Sequence, residues 1–301
     1  MSLGVLNNLP AMFAENNLNN TQAGLTKTLQ QLSSGSQINS GADDAAGLSL
    51  VDGLAANSAA LSQSTTNATE GVGLLQVADG ALSQVTNLLN RAVTLATEAS
   101  NGTLNTDQLA AANQEYQSIL DEISNIGSTT TYNGNSVFSA TAVDIYTGDS
   151  TQTGASIDAL SIDALSDASV GDATGTMAYT AAAGATPAEI SYTGTTGEDL
   201  STTDLTSNAN AETALTDINK AISDVAVQDG YVGAQINTLN AVSNVEGTQQ
   251  ENIVSAQNAV QATDYAAATS NLSKYEILTQ TGISALAQAN SVQQEVTKLL
   301  Q

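Results

Sequence analysis

The stretch Leu75–Ala96, LQVADGALSQVTNLLNRAVTLA, decides the fold. Apolar residues recur at Leu75, Ala78, Leu82, Val85, Leu89, Ala92 and Ala96, in steps of three and four. That spacing makes one continuous seam on a supercoiled helix and rules out a strand, whose faces alternate every residue. Asn101-Gly102 marks a turn, and Asn105 or Thr106 can cap a second helix. Its stripe runs Leu109, Ala112, Tyr116, Ile119, Ile123 and Ile126, with Gly127 as the expected stop. Two consecutive segments of this kind predict an elongated helical hairpin.

Outward from that hairpin the pattern returns at Leu215, Ile218, Ile222, Val225, Asp229, Val232, Ile236 and Leu239, with Asp229 as the polar interruption. A buried, unpaired Asp229 would be costly, so a solvent-facing or inter-subunit place is expected for it. Leu18, Leu25, Leu29 and Leu32 form a stripe near the N-terminus, and Leu272, Leu278, Leu286, Val292, Val296 and Leu299 recur near the C-terminus. Few charges lie between them. Narrow apolar stripes flanked by Asn, Gln, Ser and Thr suit a core crowded by many copies, where charges would be desolvated and would repel. These ten residues are the candidate inter-subunit packing set.

Residues 128–205 read differently: Thr, Ser, Gly and Asp dominate, and the acids in 140–205 meet no Lys or Arg. Ala142–Tyr146 with Ala155–Leu160, and Met177–Thr180 with Ile190–Thr193, are expected as two strand pairs. The fold class is therefore mainly α: a long coiled-coil-like helical bundle of N- and C-terminal segments with a small β-rich central insertion. The expected division is an inner coiled-coil core of 1–45 with 256–301, an outer helical core of 46–142 with 205–255, and a small acidic β-rich segment at 143–204.

Composition excludes most chemistry. The 301 residues include no cysteine and no histidine, so thiolate nucleophiles, disulfides, Cys/His zinc sites and histidine bases are absent. No acidic loop has an EF-hand signature, so no metal, cofactor or catalytic residue is expected. A net charge of −25, from 30 acids against five bases, excludes a phosphate-binding surface and hence nucleic acid. No run of about 18 apolar residues occurs, so no membrane insertion is expected. Met1–Pro10 lacks a basic leader and Glu15 interrupts any apolar run, so no conventional signal peptide is expected.

Several ordered motifs then resemble one family. Leu32-Ser33-Ser34-Gly35, Ile38-Asn39-Ser40 and Asp43-Asp44-Ala45-Ala46-Gly47 follow Asn17-Leu18; Asn67 to Gly71, Gly80-Ala81-Leu82 and Tyr132-Asn133-Gly134 extend the series. Near the other end stand Gly233-Ala234, Ala262-Thr263-Asp264-Tyr265-Ala266, Ser270-Asn271-Leu272-Ser273-Lys274, Ala285-Leu286-Ala287-Gln288-Ala289-Asn290 and Leu299-Leu300. Over roughly 1–140 and 205–301 the chain resembles a bacterial flagellin.

The resemblance implies a structural subunit that polymerises through its terminal helices into the extracellular flagellar filament used for swimming. It implies export without a signal peptide through the flagellar type III apparatus, with an export chaperone, the filament cap and hook–filament junction proteins as partners. It implies that Ser34, Gly35, Asn39, Asp43 and Asp44 belong to the connector between inner and outer cores; on physical grounds Asp43 and Asp44 sit where a helix starts and can cap it. It further implies that Arg91, Leu95 and Glu115 match the surface read by the flagellin-sensing Toll-like receptor. Val93 and Thr94 replace a second arginine and a glutamate common in strongly recognised members, and the arginine common before Gly233 is missing. The alternatives are a hook–filament junction protein, which shares the terminal motifs, and a flagellin-like surface adhesin using 140–205. The complete Asp-Asp-Ala-Ala-Gly segment and the Ala-Gln-Ala-Asn ending favour the filament subunit.

Overall fold

The computed structural model describes residues 8–148, 156–180 and 188–299. Five helices, α1 (Leu9–Ser34), α2 (Ala45–Ser100), α3 (Thr106–Thr129), α4 (Asn208–Gln261) and α5 (Tyr265–Leu299), account for most of them. Short strands fill the interval between α3 and α4. The protein is mainly α with a small β-rich central insertion. It divides into two compact units, Met1–Ala56 with Ile253–Gln301 and Asn57–Asn252.

In the unit of residues 57–252 the seam Leu75, Ala78, Leu82, Val85, Leu89, Ala92 and Ala96 is completely buried. Against it pack Leu109, Tyr116, Ile119, Leu120 and Ile123 of α3. Asn105 caps α3 in a reciprocal capping box with Gln108, satisfying two otherwise free N–H groups. Gly127 does not end the helix, which continues to Thr129. It is instead the point where the Leu165 carbonyl presses onto α3, and any Cβ there would collide with it.

On α4 the buried track is Ala211, Ala214, Ile218, Ala221, Val225, Gln228, Val232, Gln235 and Leu239. It shares every seventh residue with the expected stripe and differs in the alternate ones. Leu215, Ile222 and Ile236 are half-buried at the margin of the core, while small Ala214 and Ala221 occupy the seam. The polar members are Gln228 and Gln235, whereas Asp229 is exposed. Its carboxyl is pushed up by partial burial and by a hydrogen bond with the carboxyl of Asp79.

The insertion starts with a hairpin of β1 (Thr131–Tyr132) and β2 (Asn135–Ser136). Asn133 and Gly134 turn it with positive φ of 50° and 83°, a conformation open to Asn-Gly. The later strands are β3 (Ser139–Thr147), β4 (Ser156–Ile162), β5 (Val170–Asp172), β6 (Thr176–Thr180), β7 (Ala188–Thr193) and β8 (Thr196–Glu198). The two strand pairs read from the sequence are present as β3/β4, antiparallel from Val143↔Leu160 to Thr147↔Ser156, and as β6/β7. Ala155 lies outside the described residues. A parallel β4/β7 contact joins them into one sheet of order β3-β4-β7-β6, and β5 pairs with β8.

Polar contacts fasten this insertion to the helices. Asn67 Nδ2 donates to the Tyr146 carbonyl at 3.0 Å, and Gly148 N donates to Ser64 Oγ at 2.6 Å. Ser64 in turn donates to the buried carboxylate of Glu246. Tyr192 of β7 stacks on Tyr231 of α4 and donates to Asp172, which also accepts from Thr195 N at 2.7 Å. Burial and the Asp172 carboxylate together push the Tyr192 phenol upward. Lys220 bridges Asp217 on its own helix and Glu198 of β8.

Leu82→Ala is expected to destabilise the folded chain by about 2–5 kcal/mol, the usual cost of truncating a fully buried leucine. Leu29→Ala, at a site 49% exposed, should cost less than about 0.5 kcal/mol. Urea unfolding of the two variants at low protein concentration checks the contrast.

Candidate assembly surface

The unit of residues 1–56 and 253–301 is built on an antiparallel pair, α1 with α5. Asn8 starts α1: its side-chain oxygen accepts from Ala11 N at 3.1 Å, and its amide nitrogen donates to the Ala289 carbonyl of α5 at 3.2 Å. Pro10 sits in the first turn, where its missing N–H is not needed. Along α1 the residues turned away from solvent are Ala11, Ala14, Leu18, Thr21, Leu25, Thr28 and Leu32, again in steps of three and four. Ala268, Leu272, Tyr275, Thr279, Gly282, Leu286 and Ala289 do the same on α5.

Small residues alternate with large ones on both seams, so the helices interlock. Gly24 lies under the Tyr275 ring, where an added Cβ would come within 2.7 Å of Cζ. Gly282 faces Leu18, whose Cδ1 would be 3.2 Å from such a Cβ. Beside the seam a groove of about 580 Å³ is lined by Ala14, Leu18, Tyr275, Leu278, Gly282 and Ala285.

This interlock leaves large apolar side chains uncovered. Leu9, Met12 and Phe13 lie on the far side of α1, and Phe13 is 64% exposed. On α5, Ile277 is 66% and Ile283 56% exposed. Charge is scarce around them, with Glu15 and Lys27 the ionic residues of α1.

Of the residues singled out for packing, Leu18, Leu25, Leu32, Leu272 and Leu286 are half-buried in the α1/α5 seam. Leu29, Leu278 and Val292 stand exposed outside it. The side chains of Val296 and Leu299 lie outside the described residues. Leu9, Met12, Phe13, Ile277 and Ile283 were not singled out, because a search for one stripe per helix keeps the leucine seam and passes over a second apolar side. A second periodicity at Leu9, Met12 and Phe13 was the available signal.

Between α1 and α2 the chain turns through residues 35–44. Gly35, at φ 71°, terminates α1 in the left-handed region. Its carbonyl accepts from Thr263 N at 3.0 Å, and Gln37 N donates to the Gln261 carbonyl at 2.7 Å, so a short bridge ties the α1 exit to the α4–α5 junction. Ser34 Oγ accepts from Ser36 N, and Asn39 Nδ2 donates to the Ser36 carbonyl. Asp44 caps α2, accepting from Ala46 N at 3.1 Å and Gly47 N at 3.0 Å. Asp43, one residue too early to reach those N–H groups, closes the loop instead. It accepts from Asn39 N, Ser40 N and Ser40 Oγ, and pairs with Lys27 Nζ at 2.8 Å. The Lys27 ammonium, followed by the Asn39 N–H, pulls the Asp43 carboxyl down to about 2.

Arg91 and Glu115 form an exposed ion pair, with Nε donating to Oε1 at 2.8 Å and Nη2 at 2.6 Å. Leu95 is not at that surface; it is 3% exposed and belongs to the core. Among the described residues no three acidic side chains are arranged to hold a metal ion, and no helix is long and apolar enough to cross a membrane.

Two family models match this chain. The bacterial flagellin N-terminal helical region covers residues 5–142, and the bacterial flagellin C-terminal helical region covers 215–300. Flagellin of Listeria innocua is 32% identical over 97% of this chain and 98% of its own. Polar flagellin A of Vibrio parahaemolyticus is 28% identical, with both chains fully covered. The crystal structure of Bacillus cereus flagellin aligns with a TM-score of 0.45 at 25% identity, over 60% of this chain and 88% of that one. The chain belongs to the bacterial flagellin family: it is a structural subunit that self-polymerises into the flagellar filament, and not an enzyme.

Asp43 supplies a pH test. Its folded value of about 2 lies below the ordinary 3.8, so the loop is favoured above about pH 4 and loses that contribution as pH falls through 2. A carboxyl NMR titration should place the Asp43 midpoint near 2, and Lys27→Met should move it back toward 3.8. A wild-type midpoint near 3.8 would show that the closure does not hold in solution.

Proposed function

We propose that neighbouring copies cover one another's exposed α1 and α5 faces, and that this contact drives polymerisation. The observation that carries the reading is the exposure of Leu9, Met12, Phe13, Ile277 and Ile283 on a helix pair whose seam is already filled. Leu278, Leu29 and Val292 extend the same surface. Covering each half-exposed side chain is worth roughly 1–2 kcal/mol, on the order of 10 kcal/mol for the set. Immobilising a subunit costs about 4–15 kcal/mol. A lone pair of subunits covers part of that set and stays weak, whereas a subunit entering a lattice covers most of it. Growth on an existing end therefore outruns nucleation in solution.

In this reading residues 1–45 with 256–301 form the inner core of the filament, 46–142 with 205–255 the surrounding helical layer, and 143–204 the outermost segment. Ser34, Gly35, Asn39, Asp43 and Asp44 connect the first two. The subunit leaves the cell through the type III export apparatus, with a dedicated chaperone, and adds beneath a filament cap beyond the hook–filament junction proteins. Fully buried side chains are few on α1 and α5, Thr28 and Ala268 among the described residues, which suits a chain that travels unfolded and orders on arrival. The Arg91–Glu115 pair, backed by Leu95 in the core, is the surface offered to the flagellin-sensing Toll-like receptor.

Ile277→Asp with Ile283→Asp tests the contact without disturbing the seam. Two desolvated carboxylates should raise the critical concentration for seeded growth by on the order of 100-fold or more, with helix content by circular dichroism unchanged. Growth at the wild-type threshold would refute the proposed faces. For the receptor, Arg91→Glu monomer should lose activity in a reporter-cell assay, and unchanged signalling would remove that surface from consideration.

A further inference from the structure

The four-stranded sheet has two edges treated in opposite ways. On the β3 edge the register slips between Ser139 and Val143, Asp144 adds a charge, and Asn67 and Ser64 occupy the Tyr146 carbonyl and Gly148 N–H. Bulges, charges and covering groups are the usual guards against strand addition. Among the described residues the β6 edge has none of them. Among the described residues β6 pairs with β7 alone, and Thr176, Ala178, Tyr179 and Thr180 are exposed, Tyr179 at 70%. No charged residue occurs between Asp172 and Glu189, in a chain of net charge −25.

We propose that the free edge of β6 is a self-association strand that pairs antiparallel with β6 of a second copy. The order of its residues, Thr176-Met177-Ala178-Tyr179-Thr180, selects that partner. Centred on Ala178, an antiparallel pair sets Thr176 opposite Thr180 and Met177 opposite Tyr179, so the strand is close to its own complement. The neutral stretch is where two such acidic chains meet with least repulsion. Symmetry then says which copies meet. Neighbours within a polar helical polymer are related by rotation and translation along one axis, never by a two-fold, and an isologous contact requires a two-fold. The β6 pair therefore joins copies on different filaments, side by side. A five-residue edge is weak alone, and repetition along two filaments makes it effective.

Because the chain has no cysteine, Ala178→Cys is a clean probe. An antiparallel 178↔178 pair brings the Cα atoms to about 4.5–5.5 Å, within disulfide range. Under mild oxidation, filaments of this variant should cross-link between chains several times more than filaments of Ala168→Cys, an exposed site off the sheet. Wild-type filaments should bundle, by low-speed pelleting, when salt rises from about 10 mM to about 150 mM and the screening length falls from about 30 Å to about 8 Å. Tyr179→Asp filaments should form normally yet bundle several times less, while Tyr179→Phe filaments should match wild type. Equal cross-linking at 178 and 168, or equal bundling of Tyr179→Asp, would overturn the proposal. Absence of filaments would contradict the assembly reading instead, and the 178/168 comparison on unassembled chains at about 1 mM, where a weak pair is still populated, would decide the β6 contact.

Discussion

Two helices can hide only the faces they turn toward each other. In α1 and α5 those faces are already used, by leucines and tyrosine set against Gly24, Gly282, alanines and threonines. Apolar side chains on the remaining circumference, Phe13, Ile277 and Ile283 among them, stay exposed among the described residues. The physical demand for cover is therefore built into the unit, and in the proposed assembly further copies of the same helices meet it. Low charge on α1 belongs to the same logic, since an ion on a face crowded by copies would be desolvated without a partner.

The unit of residues 57–252 solves its packing internally. Its α2 seam is fully buried against α3, α4 and the insertion. The insertion is held by directional contacts: Tyr192 on Tyr231, Asp172 on Tyr192 and Thr195, Ser64 between Gly148 and Glu246. In the proposed assembly, the unit of residues 57–252 folds first and the unit of α1 and α5 is completed by neighbouring copies.

The parts legible in the sequence were those governed by local periodicity. The stripe from Leu75 to Ala96 could be read directly, because a sustained spacing of three and four fits one backbone only. The β3/β4 and β6/β7 pairs were legible from alternation between glycines. The parallel β4/β7 contact was not, since it depends on residues about 30 positions apart with no local signal. On α4 the sequence offered two stripes sharing Ile218, Val225, Val232 and Leu239, and hydrophobicity favoured Leu215 and Ile222 over Ala214 and Ala221. The folded chain buries the alanines and leaves Leu215 and Ile222 at the margin of the core. The Asp43-Asp44 pair suggested a helix cap, but which of the two caps depends on where the preceding loop turns, and Asp43 went to Lys27. The assembly surface was partly hidden for a related reason: a single chain's sequence shows apolar stripes without saying which is covered at home and which abroad.

Hydrogen–deuterium exchange of the intact protein, free and polymerised, tests the central claim most directly. Free chains should exchange α1 and α5 amides rapidly, because few fully buried contacts hold them, while α2 seam amides stay protected. On polymerisation, protection should rise by on the order of 100-fold or more in residues 8–34 and 265–299, and change little from 75 to 96. Protection gained chiefly in residues 57–252, with α1 and α5 still exchanging freely in the polymer, would contradict the account.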